Sequence, residues 1–141
     1  MNKQNFRLKE NDLILLSIKR LGINGEGIGF YKRQVVFVNN ALPGEVVEVK
    51  IVEANDKYVK GEITKFKKTT ANRIEAKCPY FGKCGGCQLQ HLSYEAQLIE
   101  KKNIVMEAFD RYYDGNPSKI KFLDTISMDY PWGYRNKSSL P

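Results

Sequence analysis

Three cysteines stand close together, Cys78, Cys84 and Cys87, the last two within Cys84-Gly85-Gly86-Cys87. Their spacing is C-x5-C-x2-C. Thiolate is a soft ligand and selects zinc or an iron–sulfur cluster over hard cations. Cys84 and Cys87 can reach one metal, and Cys78 can reach it across the intervening Pro-Tyr-Phe-Gly stretch. Pro79, Gly82, Gly85 and Gly86 allow the backbone to wrap tightly around one centre and leave its amides free to face sulfur. A closed zinc site and a 4Fe–4S cluster both need four ligands, so the set is one short. His91 follows Cys87 at a zinc-like gap, so a Cys3His zinc site competes with a cluster. His91 can equally pack or cap where the next helix begins. Three thiols without a metal is the plain alternative. A redox C-x-x-C opens a helix after a strand in a βαβ unit, and no such unit precedes Cys84. An odd cysteine count also argues against a disulfide framework.

A second group of side chains suits polyanions. Between residues 57 and 77 lie Lys57, Lys60, Lys65, Lys67, Lys68, Arg73 and Lys77, against Glu62 and Glu75. Aromatic residues Phe30, Tyr31, Phe37, Tyr58 and Phe66 interleave with cations on the same segments. Exposed rings stack on bases while Lys and Arg hold phosphate. Half or more of these rings are expected in the core. Tyr134-Arg135-Asn136-Lys137 is a shorter element of the same kind, adding Arg135 and Lys137 as candidates. The glycine run from Gly22 to Gly29 lacks a following Lys-Ser/Thr and leads into a strand, so it is a barrel corner and not a phosphate loop.

Composition agrees with a binding role. The chain has 141 residues, with 23 Lys+Arg against 16 Asp+Glu, a net charge of +7. Such an excess attracts RNA, DNA or anionic lipid, and it also suits a basic protein–protein adaptor. No apolar run is long enough to span a membrane. Met1 to Asn5 is not followed by the apolar stretch of a signal peptide, so a cytoplasmic location is expected.

These residues need elements to hold them. Period-2 alternation predicts strands over Asp12–Arg20, Ile28–Tyr31, Gln34–Val38, Glu45–Glu53 and Tyr58–Phe66. Five short strands leave too many edges as an open sheet, and closure into an OB-like barrel removes them. The polar segment 67–77 marks a boundary, giving units 1–70 and 71–141. The second unit carries the cysteine-rich loop and an amphipathic helix from Ser93 to about Tyr113. Asp114-Gly115-Asn116-Pro117 stops that helix. A short strand is expected over Ile120–Ile126. The fold class is therefore mainly β, a five-stranded barrel followed by a partial α+β domain.

The segment from Cys78 through Cys87, His91 and Tyr94 to Gln97 resembles the iron–sulfur segment of bacterial RNA uracil-C5 methyltransferases, which make 5-methyluridine in 23S ribosomal RNA. Gly25-Glu26-Gly27-Ile28-Gly29 and Ala41-Leu42-Pro43-Gly44-Glu45 resemble the TRAM domain, an OB-like RNA-binding barrel at the N-terminus of that family. Tyr134-Arg135-Asn136-Lys137 is similar to its central domain. The resemblance implies that residues 1–70 are a TRAM barrel and 71–141 the start of the iron–sulfur domain. It implies that Cys78, Cys84 and Cys87 are three of four ligands to a 4Fe–4S cluster, that the fourth lies beyond Pro141, and that His91 is not a ligand. Family members continue into a domain that binds S-adenosylmethionine and holds a nucleophilic cysteine and a general base. None of these is present here, and the chain stops at Ser139-Leu140-Pro141 amid what reads as unfinished β structure. The resemblance thus implies an inactive N-terminal fragment whose work is RNA recognition through the basic stripe and Arg135 and Lys137; the sequence leaves the oligomeric state open, with a monomer expected.

Overall fold

In the computed structural model, residues 7–137 are described. The expectations for Met1–Asn5 and Ser139–Pro141 lie outside them. Alternating apolar residues place five strands: β1 (Leu13–Leu21), β2 (Gly27–Tyr31), β3 (Gln34–Val38), β4 (Val46–Ala54) and β5 (Val59–Lys68). They close into a barrel in the order β1-β2-β3-β5-β4. All neighbours are antiparallel except β3 and β5, which run parallel.

The inward residues form one apolar interior. Ile14, Leu16 and Ile18 meet Val36, Val38, Val47, Val49, Ile51 and Val59, all buried. Each such side chain contributes about 1.5–3 kcal/mol when removed from water. Space inside is tight where strands approach. A Cβ on Gly61 of β5 would collide with Cγ1 of Val49, so only glycine fits there. Irregular register between β4 and β5 at three points bends the sheet into closure.

Two compact units divide after Ser93. The first extends past the last strand because residues 70–93 fold back on themselves. Ile74 N–H donates to the His91 carbonyl at 2.9 Å, and Ser93 N–H to the Asn72 carbonyl at 2.9 Å. The cysteine segment is thus part of the barrel's unit, where a separate domain was expected to begin at residue 71.

The second unit is built on α1 (Tyr94–Tyr112), close to the expected helix. Of its residues only Ala96 is buried, and Val105, Phe109 and Tyr112 of the expected apolar face remain exposed. Phe109 meets Phe122 edge-on with centroids 5.4 Å apart. A short 3-10 turn, Pro117–Lys119, is capped by Asn116. The strand expected over Ile120–Ile126 does not form. Among the described residues of this unit there is no strand for it to pair with. Side-chain bonds tie the segment to α1 instead: Lys102 to Asp124 at 2.8 Å, and Thr125 Oγ1 to the Leu98 carbonyl at 2.8 Å.

Candidate nucleic-acid interface and cysteine loop

Alternation decides which rings leave the core. Val36 and Val38 point into the barrel, so Val35 and Phe37 point out. Gly29 and Tyr31 face inward, which turns Phe30 outward, where it is 51% exposed. Register puts Phe30 opposite Val35, Ile28 opposite Phe37, and Phe37 opposite Lys60 of β5. Tyr58 adds a ring beside Phe37, edge-on with centroids 6.4 Å apart. Phe30, Phe37 and Tyr58 therefore lie outside the barrel on β2, on β3 and just before β5, Phe30 exposed and the other two half-buried. Tyr31 is the exception among the expected rings, since it packs against the core.

Tyr58 is held in place. Its hydroxyl donates to Glu53 at 2.7 Å, and Lys60 Nζ lies 5.0 Å above its ring. Lys60 also pairs with Glu53 at 2.8 Å. That hydrogen bond holds the Glu53 carboxyl below its usual range and the Lys60 ammonium above its own, so both are charged at neutral pH. The preceding turn is an Asx-turn: Asn55 Oδ1 accepts from the N–H groups of Lys57 and Tyr58 at 3.0 and 2.9 Å.

The expected basic stripe divides into three classes. Lys57, Lys65 and Lys68 are exposed and unpaired among the described residues. Lys60 and Lys67 are exposed but face carboxylates, Lys67 at 3.6 Å from Glu48. Arg73 is engaged within the fold. Its Nε and Nη2 donate to the Glu45 carboxylate at 2.6 and 2.8 Å, and Nη2 also donates to the Asn40 carbonyl at 2.6 Å. Its guanidinium sits 4.8 Å above the Phe66 ring. This residue staples the β3–β4 loop to the segment after β5, so its Nε and Nη2 donors are taken up within the fold. Arg135 and Lys137 are exposed in the second unit.

Glu45 is the residue that sequence reasoning missed. It is completely buried and also accepts from Leu42 N–H at 2.9 Å. Burial pushes its carboxyl up, but hydrogen bonds from Arg73 and Leu42, the Arg73 charge and Thr70 N–H outweigh that. The net result lies below the usual carboxylate value. Its place at the end of Ala41-Leu42-Pro43-Gly44-Glu45 was the only signal.

One turn near Phe30 is strained. Lys32 and Arg33 form the whole β2–β3 loop, with φ of 45° and 71°. A left-handed side-chain-bearing residue costs about 1 kcal/mol or more relative to glycine.

Cys78 is half-buried, while Cys84 and Cys87 are exposed, and none forms a disulfide. Their loop turns at Gly82 and Gly85, with φ of 80° and 71°. Gly86 N–H donates to Cys84 Sγ at 3.3 Å, and Cys78 N–H to Gln90 Oε1 at 3.2 Å. The donors suit an iron–sulfur cluster in chemical type. Their placement does not preform one: among the described residues no three His, Cys, Asp or Glu side chains converge on a metal position. The zinc alternative lacks its fourth ligand too, because the fold takes His91 inward. His91 is 4% exposed and packs on Phe81 with centroids 5.0 Å apart. Neither of its ring nitrogens has a hydrogen-bond partner among the described residues; the Asn40 backbone lies near but completes no bond. Burial, then the Arg73 charge, pushes the imidazole down to about 4.

Residues 7–64 match the family model of the TRAM domain. Over 99% of its length the chain is 50% identical to an uncharacterized RNA methyltransferase of Halalkalibacterium halodurans, covering 31% of that protein. Over 93% of its length it is 45% identical to another from Listeria innocua, covering 29% of it. The chain therefore spans about a third of the length of these relatives. A solved structure of a conserved protein from Methanococcus maripaludis is 28% identical, with a TM-score of 0.41, over 45% of this chain and 90% of that one. No helix among the described residues is long and apolar enough to cross a membrane.

Proposed function

We propose that this chain is the N-terminal, RNA-recognising part of a cytoplasmic S-adenosylmethionine-dependent 23S ribosomal RNA (uracil-5-)-methyltransferase, inactive by itself. The observation that carries the RNA reading is the group of rings on the outer face of a TRAM-like barrel, with unpaired Lys57 beside it and unpaired Lys65 and Lys68 further along β5. Similarity to proteins named RNA methyltransferases supports the activity of the larger protein. Unstacked bases lie on Phe30 and its neighbours, while Lys57, Lys65 and Lys68 contact phosphate. Phosphate contacts give affinity and register but little sequence information. Single-stranded or looped RNA is the fitting target, because only there are base faces free to stack.

Cys78, Cys84 and Cys87 are proposed as three of four ligands to a 4Fe–4S cluster, on donor type and the amide-to-sulfur bond at Cys84. Bound there, the cluster serves as a structural cross-link for this loop. No residue of this chain is assigned to S-adenosylmethionine, the methyl donor of the larger protein.

The test is fluorescence anisotropy with a labelled oligouridylate about a dozen nucleotides long, across a salt series. The chain is expected to bind it, with affinity falling as salt rises. Replacing Lys57, Lys65 and Lys68 together by Gln is expected to reduce the log–log salt slope by about 2, at roughly 0.7 per lost phosphate contact. Binding that ignores salt, or no binding, overturns the RNA reading and favours a basic protein–protein adaptor.

A further inference from the structure

The β2–β3 loop is made of Lys32 and Arg33 alone, both at positive φ. A two-residue hairpin loop of this kind asks for positive φ at both positions, which Asn-Gly supplies with least strain. Lys and Arg are poor choices for turn shape. Left-handed residues of this sort gather where a site needs them. Both side chains are exposed, and Lys32 Nζ lies 5.6 Å from the Tyr31 ring centroid.

Topology decides what this turn stands beside. β3 and β5 run parallel, with Val36 opposite Val59 and Phe37 opposite Lys60. Parallel strands begin at the same end of the barrel. The turn before β3, carrying Lys32 and Arg33, thus sits at the same end as the turn before β5, carrying Lys57. Phe30, opposite Val35, lies at that end of the barrel. Asp56, beside Lys57, pairs with Arg7. Three cations on two adjacent turns therefore lie at the end of the barrel where the Phe30 ring is exposed.

We propose that the Lys32–Arg33 turn is a phosphate grip for single-stranded RNA, paired with Lys57 across the barrel end, with a base stacked on Phe30 beside the turn. The inference rests on the RNA reading above and adds a contact site to it. Turn strain is retained because the tip must present two cations.

The test separates turn shape from charge. The double variant Lys32→Asn, Arg33→Gly installs the least strained turn. Its melting temperature is expected to rise by about 2–6 °C. Its affinity for the labelled oligouridylate at low salt is expected to fall roughly tenfold, and its salt slope by about 1.4. Lys32→Gln, Arg33→Gln keeps the strained turn and removes the charge; it is expected to lose the same affinity without gaining stability. If wild-type chain binds and both variants bind as tightly, with unchanged slope, the turn is purely structural and this inference falls alone. If the wild-type chain itself ignores the oligouridylate, the RNA reading beneath it falls as well.

Discussion

Replacing Arg73 by Met tests the buried staple. The substitution keeps an apolar stem over Phe66 but leaves the Glu45 carboxylate buried without its cation. Removing one partner of such a pair costs about 3–5 kcal/mol. Arg73 is 22% exposed at its side chain while Glu45 is fully buried, so the lower end, about 3 kcal/mol, is expected near neutral pH. A unit of this size has roughly 5–14 kcal/mol in total, so the loss is a large fraction. It corresponds to a drop in melting temperature of about 12–24 °C. The pH dependence carries the sharper sign. In the wild-type chain the folded Glu45 value lies below its unfolded one, so the pair contributes fully above the unfolded value and loses its contribution as pH falls through the folded value. Without Arg73, burial dominates and raises the carboxyl. The variant's penalty is therefore largest at pH 8 and shrinks toward pH 5 as Glu45 takes up a proton. Because the Arg73 charge also holds the His91 imidazole down, the comparison belongs in a His91→Leu background. Urea unfolding followed by far-ultraviolet circular dichroism measures both. A penalty under 1 kcal/mol at pH 8, or one equal at pH 5 and 8, refutes the reasoning.

Two further outcomes are expected. The His91 value is lowered from 6.5 to about 4, so the unfolded chain binds the extra proton between those limits. Stability is therefore complete above about pH 6.5 and falls by up to about 3 kcal/mol as pH approaches 4. His91→Leu removes that dependence in chemical unfolding and is neutral or stabilising at pH 7.5, since it removes unpartnered buried nitrogens; an unchanged acid limb contradicts this. Anaerobic treatment of the chain with iron, sulfide and excess thiol is expected to give a brown protein, with the thiol as outside ligand, and Cys84→Ser is expected to lose the colour. Stoichiometric zinc lost on His91→Ala supports the zinc site instead.

Strand positions were legible because inward and outward residues alternate strictly on a barrel. Ile14, Leu16 and Ile18, or Val47, Val49 and Ile51, announce one face each without help from elsewhere. The helix over 94–112 was legible for a similar reason, by its period and by the Asp114-Gly115-Asn116-Pro117 stop after it. Ile120–Ile126 has strand-like residues but no partner strand, and β structure exists only in pairs. The candidate site was legible in composition and less so in roles. Arg73 looked like another cation of the stripe. Its partner Glu45 stands 28 residues away, and no local pattern links the two. His91 had the spacing of a ligand, yet its surroundings took it into the core beside Phe81.

The residue string on its own determined the donor chemistry, the excess of positive charge and the face each strand presents, because these follow from side-chain type and local period. Only the closed barrel decided which cations are free and which are tied to carboxylates. It also decided that Lys32, Arg33 and Lys57 share one end, through the parallel pairing of β3 with β5. Such pairing joins segments that are distant along the chain, and its free energy comes from burying both at once, so nothing local to either strand records it.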